Sequence, residues 1–389
     1  MTKKENVKNK NLVKLLLDKA LLKLYTFRME TIETYDNVRI LNDEPEFIVC
    51  DKSNVSAEFF ILCEENSGEI VNKNVYDCKI CGMSVLNWVV RACISQPKIL
   101  KTESEDDIIG VIRPYIDTSV KYSVVLFANT PLLNRMHISD MLAFVDRRGM
   151  NVCKLKHGYV FRNDYIKDND SIYSVDEYDF ASNDFFEIKT NEDLSYATEI
   201  LTKKILDYHK KNGVYFENEK NLSVDANTEI GCGAEISSGD ILTNGTKIGK
   251  EVKIAKNAII SGSKIGDESK IGLGAIIIDS IVKNSSFIGE GVIIKNSVIS
   301  NNSKIECASR ILSSSIRKGT LLQENVVVDS SRIGENCIIG NHTKVLGIDG
   351  NTFIESNCQI GANCTIENGL ISQNSNIQSS SVIKGKVED

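Results

Sequence analysis

An aliphatic residue recurs every six positions from Val224 through Ile230, Ile236, Leu242, Ile248 and Ile254 to Ile260. Six residues make one side of a triangular coil, in which each short strand buries one side chain before the chain turns. From Ile260 the pattern settles into a 17-residue period with three columns. The first runs Ile260, Ile277, Ile294, Ile311, Val328; the second Ile265, Val282, Ile299, Ile316, Ile333; the third Ile271, Ile288, Ile305, Leu322, Ile339. An amphipathic helix would repeat at 3.6 residues, and no such spacing runs here. The pattern therefore predicts a left-handed parallel β-helix of hexapeptide repeats over residues 222–385, with roughly nine coils sharing one stacked core.

Polar and small positions follow the same period. Ser263, Ser280, Ser297, Ser314 and Ser331 precede the second column, where the spacing shortens from six to five and a small residue suits a tightened corner. Glycines follow the aliphatic positions (Gly231, Gly249, Gly266, Gly272, Gly289, Gly334, Gly340, Gly361) and are expected to supply the φ values that turns need. Between Val345 and Ile354 the register slips, which predicts a projecting loop of about three extra residues around positions 347–350.

Upstream, residues 36–205 alternate between strand-like and helix-like runs: 57–63 and 122–128 as apolar strands, 83–92 and 138–148 as amphipathic helices. Alternation of this kind predicts an α/β, Rossmann-like domain whose ligand crevice lies at the carboxyl ends of the strands, including the turn 127–131. Residues 206–221 read as a linker, and residues 1–35 as an appended basic, leucine-rich helix over 12–31. Apolar residues on more than one face suit that helix to docking against another element or subunit.

Composition narrows the class. The chain of 389 residues has a formal charge of −7, so it lacks the basic excess that a nucleic-acid partner requires. No run of 18 apolar residues offers a membrane span, and Lys14, Asp18, Lys19 and Lys23 interrupt the N-terminal apolar stretch, so a cytoplasmic protein is expected. Eleven scattered cysteines read as reduced thiols; Cys78 and Cys81 stand at metal spacing, but no second pair completes a zinc site.

Two segments of the front half carry a family resemblance. Gly82-Met83-Ser84-Val85 with Trp88 is similar to the GKPM…W segment of sugar-1-phosphate nucleotidyltransferases, and Phe127-Ala128-Asn129-Thr130-Pro131-Leu132 resembles their GDxPL turn. Thr190-Asn191-Glu192-Asp193-Leu194, a helix to Lys211 and the first coils follow in the order of the bacterial bifunctional N-acetylglucosamine-1-phosphate uridylyltransferase and glucosamine-1-phosphate acetyltransferase family. The resemblance implies a nucleotidyltransferase fold with Gly82, Asn129 and Thr130 as nucleotide- or sugar-binding residues. It implies a sugar nucleotide or sugar phosphate as ligand, Mg²⁺ and acetyl-CoA as cofactors if the family activities survive, and a homotrimer built along the β-helix. Outward apolar positions (Ile259, Ile276, Ile278, Ile293, Val298, Val326) fit that assembly.

The chemistry of that family needs charge of the right sign, and the sequence departs from it. Where a basic Gly-rich loop is expected, residues 64–69 read Glu-Glu-Asn-Ser-Gly-Glu, which repels a triphosphate. Asn129 stands where a metal-binding Asp is implied, and Lys189 where a metal-binding Asn is implied; hard divalent cations prefer carboxylates. Acetyl transfer needs a general base, and His342 is the one histidine of the repeat, beside the projecting loop. The Lys-His-Tyr cluster of the family's acetyltransferase is absent, while Arg317-Lys318-Gly319 resembles its basic turn. Three functions stay open: a non-catalytic binding or assembly protein of sugar-nucleotide or cell-envelope metabolism, an active nucleotidyl- or acyltransferase, and a structural trimer.

Overall fold

Strand β1 (Ala57–Glu64) and strand β3 (Tyr122–Phe127) are buried on both faces, as near-continuous apolar runs require. The computed structural model describes residues 55–64, 69–70, 73–102, 107–172, 176–177, 185–348 and 352–387. The expected N-terminal helix and residues 65–68 of the acidic loop lie outside them. The remaining front-half elements are α1 (Val85–Ala92), β2 (Lys98–Thr102), α2 (Ile108–Ile112), α3 (Arg135–Arg148), β4 (Val152–Leu155), β5 (Gly158–Arg162), α4 (Asn163–Asp168), β6 (Asp176–Glu177) and α5 (Asn191–Lys211).

The sheet order is β6-β4-β5-β3-β1-β2. β1 pairs in parallel with β2 and β3, whereas β5 runs antiparallel to β3 and β4. The sheet is thus mixed, because only Lys156 and His157 separate β4 from β5 and so short a connection makes a hairpin. Gly158 opens β5 at φ +137°, and a Cβ there would lie 2.6 Å from the Val125 carbonyl oxygen. Alternate residues serve opposite cores: Phe59, Ile61, Val124 and Leu126 meet side chains of α1 and α3, while Phe60, Leu62, Val125 and Phe127 meet those of α2 and α4. Helix α1 starts at Val85, not Met83, because Ser84 caps it by accepting from Asn87 N and Met83–Ser84 pairs with Lys79–Ile80.

Behind α5 the chain winds into a parallel β-solenoid of about ten turns. One face stacks ten short strands, beginning at Tyr215–Phe216, and two further faces form a continuous 18-stranded sheet. The added rung lies upstream of residue 222, in the segment read as a linker. The three aliphatic columns face inward in register, as in the pairs Ile260 with Ile277 and Ile277 with Ile294. Ile277, Ile294, Ile299, Ile305, Ile311 and Ile316 are all fully buried.

The serine column does more than save space. Ser280 N donates to Ser263 Oγ, Ser297 N to Ser280 Oγ, Ser314 N to Ser297 Oγ and Ser331 N to Ser314 Oγ, at 3.0–3.1 Å. Each of Ser263, Ser280, Ser297, Ser314 and Ser331 in turn donates to the carbonyl two residues back, so a buried hydroxyl column satisfies corner amides that the sheets leave over.

Three expectations about the repeat need correction. The glycines that follow the aliphatic positions do not occupy left-handed backbone; those conformations fall on other residues, such as Asn257, Glu268, Asn302 and His342. What those glycines permit is close stacking: a Cβ on Gly272 would lie 2.5 Å from the Gly289 carbonyl carbon of the next coil. Val326 points inward and is fully buried, following Ser309 in a column of corner-filling side chains. The longer coil carries four extra residues, since Cys364 N bonds Thr343 Oγ1 across 21 residues and Cys337 N bonds Thr320 Oγ1 across 17. The corner it interrupts is the five-residue one, which accounts for the difference from three.

Candidate functional site

β2 and β3 flank β1 on opposite sides, so chain order reverses between β1 and β3, and the carboxyl ends of that pair form a switch point where α/β sheets open a crevice. A shallow cleft, open to solvent, lies there, lined by Leu62, Glu64, Tyr76, Phe127, Ala128 and Asn129. Ala128 N donates to Leu62 O at 2.9 Å, tying the turn to β1. Thr130 is fully buried and spends its hydroxyl on Phe127 O at 2.9 Å, so it shapes the turn from within.

Asn129 is the hub of a polar closure. Its Nδ2 donates to Glu187 Oε1 at 3.1 Å, and its Oδ1 lies 3.2 Å from His157 Nε2, which must then carry its proton. Ile188 N donates to Asn129 O at 2.9 Å, fixing the 186–190 segment over the turn. Lys189 Nζ sits 2.8 Å from Glu187 Oε2, and His157 Nε2 lies 3.7 Å from Glu187 Oε1. The His157 ring packs at 4.3 Å on Phe127. Burial holds the His157 pKa below its usual value; Glu187 opposes that shift and Lys189 adds to it.

Asn129 and Lys189, which stand where the resemblance implies metal-binding residues, thus meet in space through Glu187. The donor set does not fit Mg²⁺. The carboxylate hydrogen-bonded to Asn129 already holds an ammonium group, and that cation opposes a divalent ion at the same place. Among the described residues no group of three or more His, Cys, Asp or Glu side chains is arranged to hold a metal.

Gly82 is not part of this crevice. It occupies the turn between Lys79–Ile80 and Met83–Ser84 at φ +80°, where a Cβ would lie 2.5 Å from the Asp225 carboxyl group. Ala226 N donates to Cys81 O at 2.9 Å in the same contact, so this turn docks the first coil onto the front half. His342 is an exposed corner residue with φ 58°, a conformation that histidine tolerates better than most side chains. Its amide donates to Glu324 O at 3.0 Å, one coil away.

Sequence reasoning missed His157 and the role of Glu187. His157 lies in the two-residue turn of a hairpin, with no motif around it; only its position beside Asn129, 28 residues earlier in the chain, gives it meaning.

No protein-family model matches the chain, and no curated protein sequence does. Among solved structures it is similar to the UDP-N-acetylglucosamine acyltransferase from Campylobacter jejuni, at 18% identity over 42% of this chain and 68% of that one, with a TM-score of 0.32. LpxA from Acinetobacter baumannii matches at 15% identity, over 41% of this chain and 66% of that one, with a TM-score of 0.32. LpxA from Bacteroides fragilis, a UDP-N-acetylglucosamine acyltransferase, matches at 19% identity over 42% and 66%, with a TM-score of 0.25. The matched part spans about two thirds of those chains. Among the described residues no helix is long and apolar enough to cross a membrane.

Proposed function

We propose that the chain is a non-catalytic relative of the sugar-1-phosphate nucleotidyltransferases, a cytoplasmic homotrimer that binds a sugar nucleotide, or a part of one, without transferring a nucleotidyl group. The observation that carries this reading is the Lys189–Glu187–Asn129–His157 closure. Nucleotidyl transfer brings two anionic groups together and depends on fixed positive charge and a metal aimed at the reacting phosphates. Here Lys189, linked to Asn129 through Glu187, is ion-paired with that carboxylate, and the carboxylate of Glu64 stands at the end of β1.

The test is release of pyrophosphate from UTP or dTTP with Mg²⁺ and a panel of sugar 1-phosphates. No release above background is expected, and turnover above about 0.1 s⁻¹, well under the enzyme median, overturns the reading. Asn129→Asp alone does not restore activity, because Lys189 remains at the site.

A second reading, acyl transfer from acetyl-CoA with His342 as general base, draws on the exposure of that histidine at a corner of the coil that leads into the four-residue insertion. It predicts thiol release from acetyl-CoA with an amino-sugar acceptor, lost in His342→Ala.

A further inference from the structure

Two guanidinium groups meet at the end of α1 with no acid to balance them. Arg91 lies in the last turn of that helix. Arg135, the first residue of α3, donates through Nη2 to the carbonyl of Cys93, the residue that caps α1, at 3.0 Å. Burial, with the Arg135 charge adding to it, pushes the Arg91 pKa down to about 10, so both groups stay charged at neutral pH. Among the described residues neither arginine has a carboxylate partner. Arg91 Nη1 donates to Met83 Sδ at 3.7 Å, and a thioether is a weak acceptor; Arg91 Nη2 is buried with no partner. Besides Arg135, the ionisable group that acts on Arg91 is the Tyr208 phenol of α5, uncharged at neutral pH.

The helix end accounts for part of this arrangement. The C-terminus of α1 carries roughly half a negative charge, well short of two full positive ones. Elsewhere the acid-rich chain pairs its arginines, as Arg113 with Asp170 and Arg162 with Asp164. A like-charged pair left without a carboxylate calls for an anion from outside the fold. Each guanidinium is a planar fork of donors that grips an oxyanion through two parallel bonds. One fork suffices for a carboxylate, which brings one charge and two oxygens, whereas two forks match the charge and the extra oxygens of a phosphate. Access is open on one side, since Arg135 is exposed and Arg91 half-buried.

We infer that Arg91 and Arg135, brought together by the end of α1 and the start of α3, form a binding site for a phosphate group. The inference goes beyond the reading of the 127–131 turn and does not depend on it, because neither residue belongs to the Lys189–Glu187–Asn129–His157 closure.

Trp88 is the sole tryptophan of the chain, and the Arg91 guanidinium lies 5.5 Å from its ring centroid, so its emission reports on the site. The full-length protein is titrated with inorganic phosphate at constant ionic strength, with heat and tryptophan emission followed together and acetate as the carboxylate control. Phosphate is expected to give a saturable heat and a matching change in emission, and acetate to bind at least about tenfold more weakly. Uridine 5′-monophosphate distinguishes the source: tighter binding than inorganic phosphate assigns a phosphate carried on a nucleotide, and equal or weaker binding assigns the free ion. Arg135→Gln keeps an N–H for Cys93 O and is expected to weaken phosphate at least about tenfold, while Arg135→Lys, which keeps the charge, recovers part of the loss. A merely structural role would shift the melting temperature of these variants without narrowing the preference for phosphate over acetate. No saturable heat with phosphate, acetate binding equal to phosphate, or an unchanged phosphate affinity in Arg135→Gln each overturns the inference. Arg91→Gln is expected to repeat the loss; should it fail to fold, the variants at exposed Arg135 decide.

Discussion

Asp240 stands fully buried where the same column in later coils carries Ala258, Ala275 and Val292. Its carboxylate accepts from Ser237 N at 3.1 Å and Ala258 N at 2.8 Å, but burial outweighs both bonds and pushes its pKa up to about 7. The Glu217 carboxylate adds to the shift, and is itself paired with Lys256 at 2.9 Å. A carboxyl group whose folded pKa exceeds its unfolded one takes up a proton on folding, so its contribution is full below about pH 4 and is lost as pH rises through 7. The loss is on the order of a few kcal/mol. The melting temperature of the wild type is expected to fall between pH 5 and 8, and that of Asp240→Asn to be flatter across the same window. Parallel curves for the two proteins in a pH series of thermal melts would remove Asp240 as the cause. At the crevice, residue-level reading singled out Asn129 and Lys189 because they stand at motif positions. It did not single out His157, whose partner lies 28 residues away, and Gly82, singled out with Asn129, turns against Asp225.

At the scale of elements the repeat was the most legible part of the chain, since an inward side chain in every strand imposes a period that no other fold shares. The inward columns therefore support a sharp expectation. Ile299 and Ile305 are fully buried mid-stack, and a carboxylate at either place has no partner and costs several kcal/mol. Ile299→Asp or Ile305→Asp is expected to abolish soluble expression, whereas Ser300→Asp, outside the inward columns, is not. An Ile299→Asp protein that is soluble and melts like the wild type would overturn the column assignment. Val326 was misread because Val326, Val327 and Val328 form an apolar triple without alternation, and alternation is what separates inward from outward positions. The β4–β5 hairpin escaped notice for a related reason: two residues between short strands leave little sequence to mark a reversal.

On the scale of the whole molecule, one face of the solenoid carries an apolar stack. Ile241, Ile259, Ile276 and Ile293 are register partners on successive coils, and Ile241 is 37% exposed. Ile278 and Leu312 lie half-buried on the same face, and Val298 on the adjoining one. A solvated face has no need of so many, and threefold closure buries such a stripe without leaving an open edge. Light scattering is expected to give close to three times 43.2 kDa, and the double variant Ile276→Glu, Ile293→Glu to run as a folded monomer. A wild-type monomer would leave the stripe to another partner.

The repeat has a further consequence for how the chain finds its structure. Between Ile260 and Val345 a shift of one whole coil replaces isoleucine or valine by isoleucine or valine in the first column, and serine by serine along the corner ladder. Displaced threadings in this stretch are therefore nearly degenerate in energy, differing mainly by the contacts of one terminal coil. Aperiodic marks lift the degeneracy, among them the 213–226 approach, whose Asp225 fits against Gly82, and the four-residue insertion after Leu346. Together they act as the phase reference of an otherwise translationally symmetric stack.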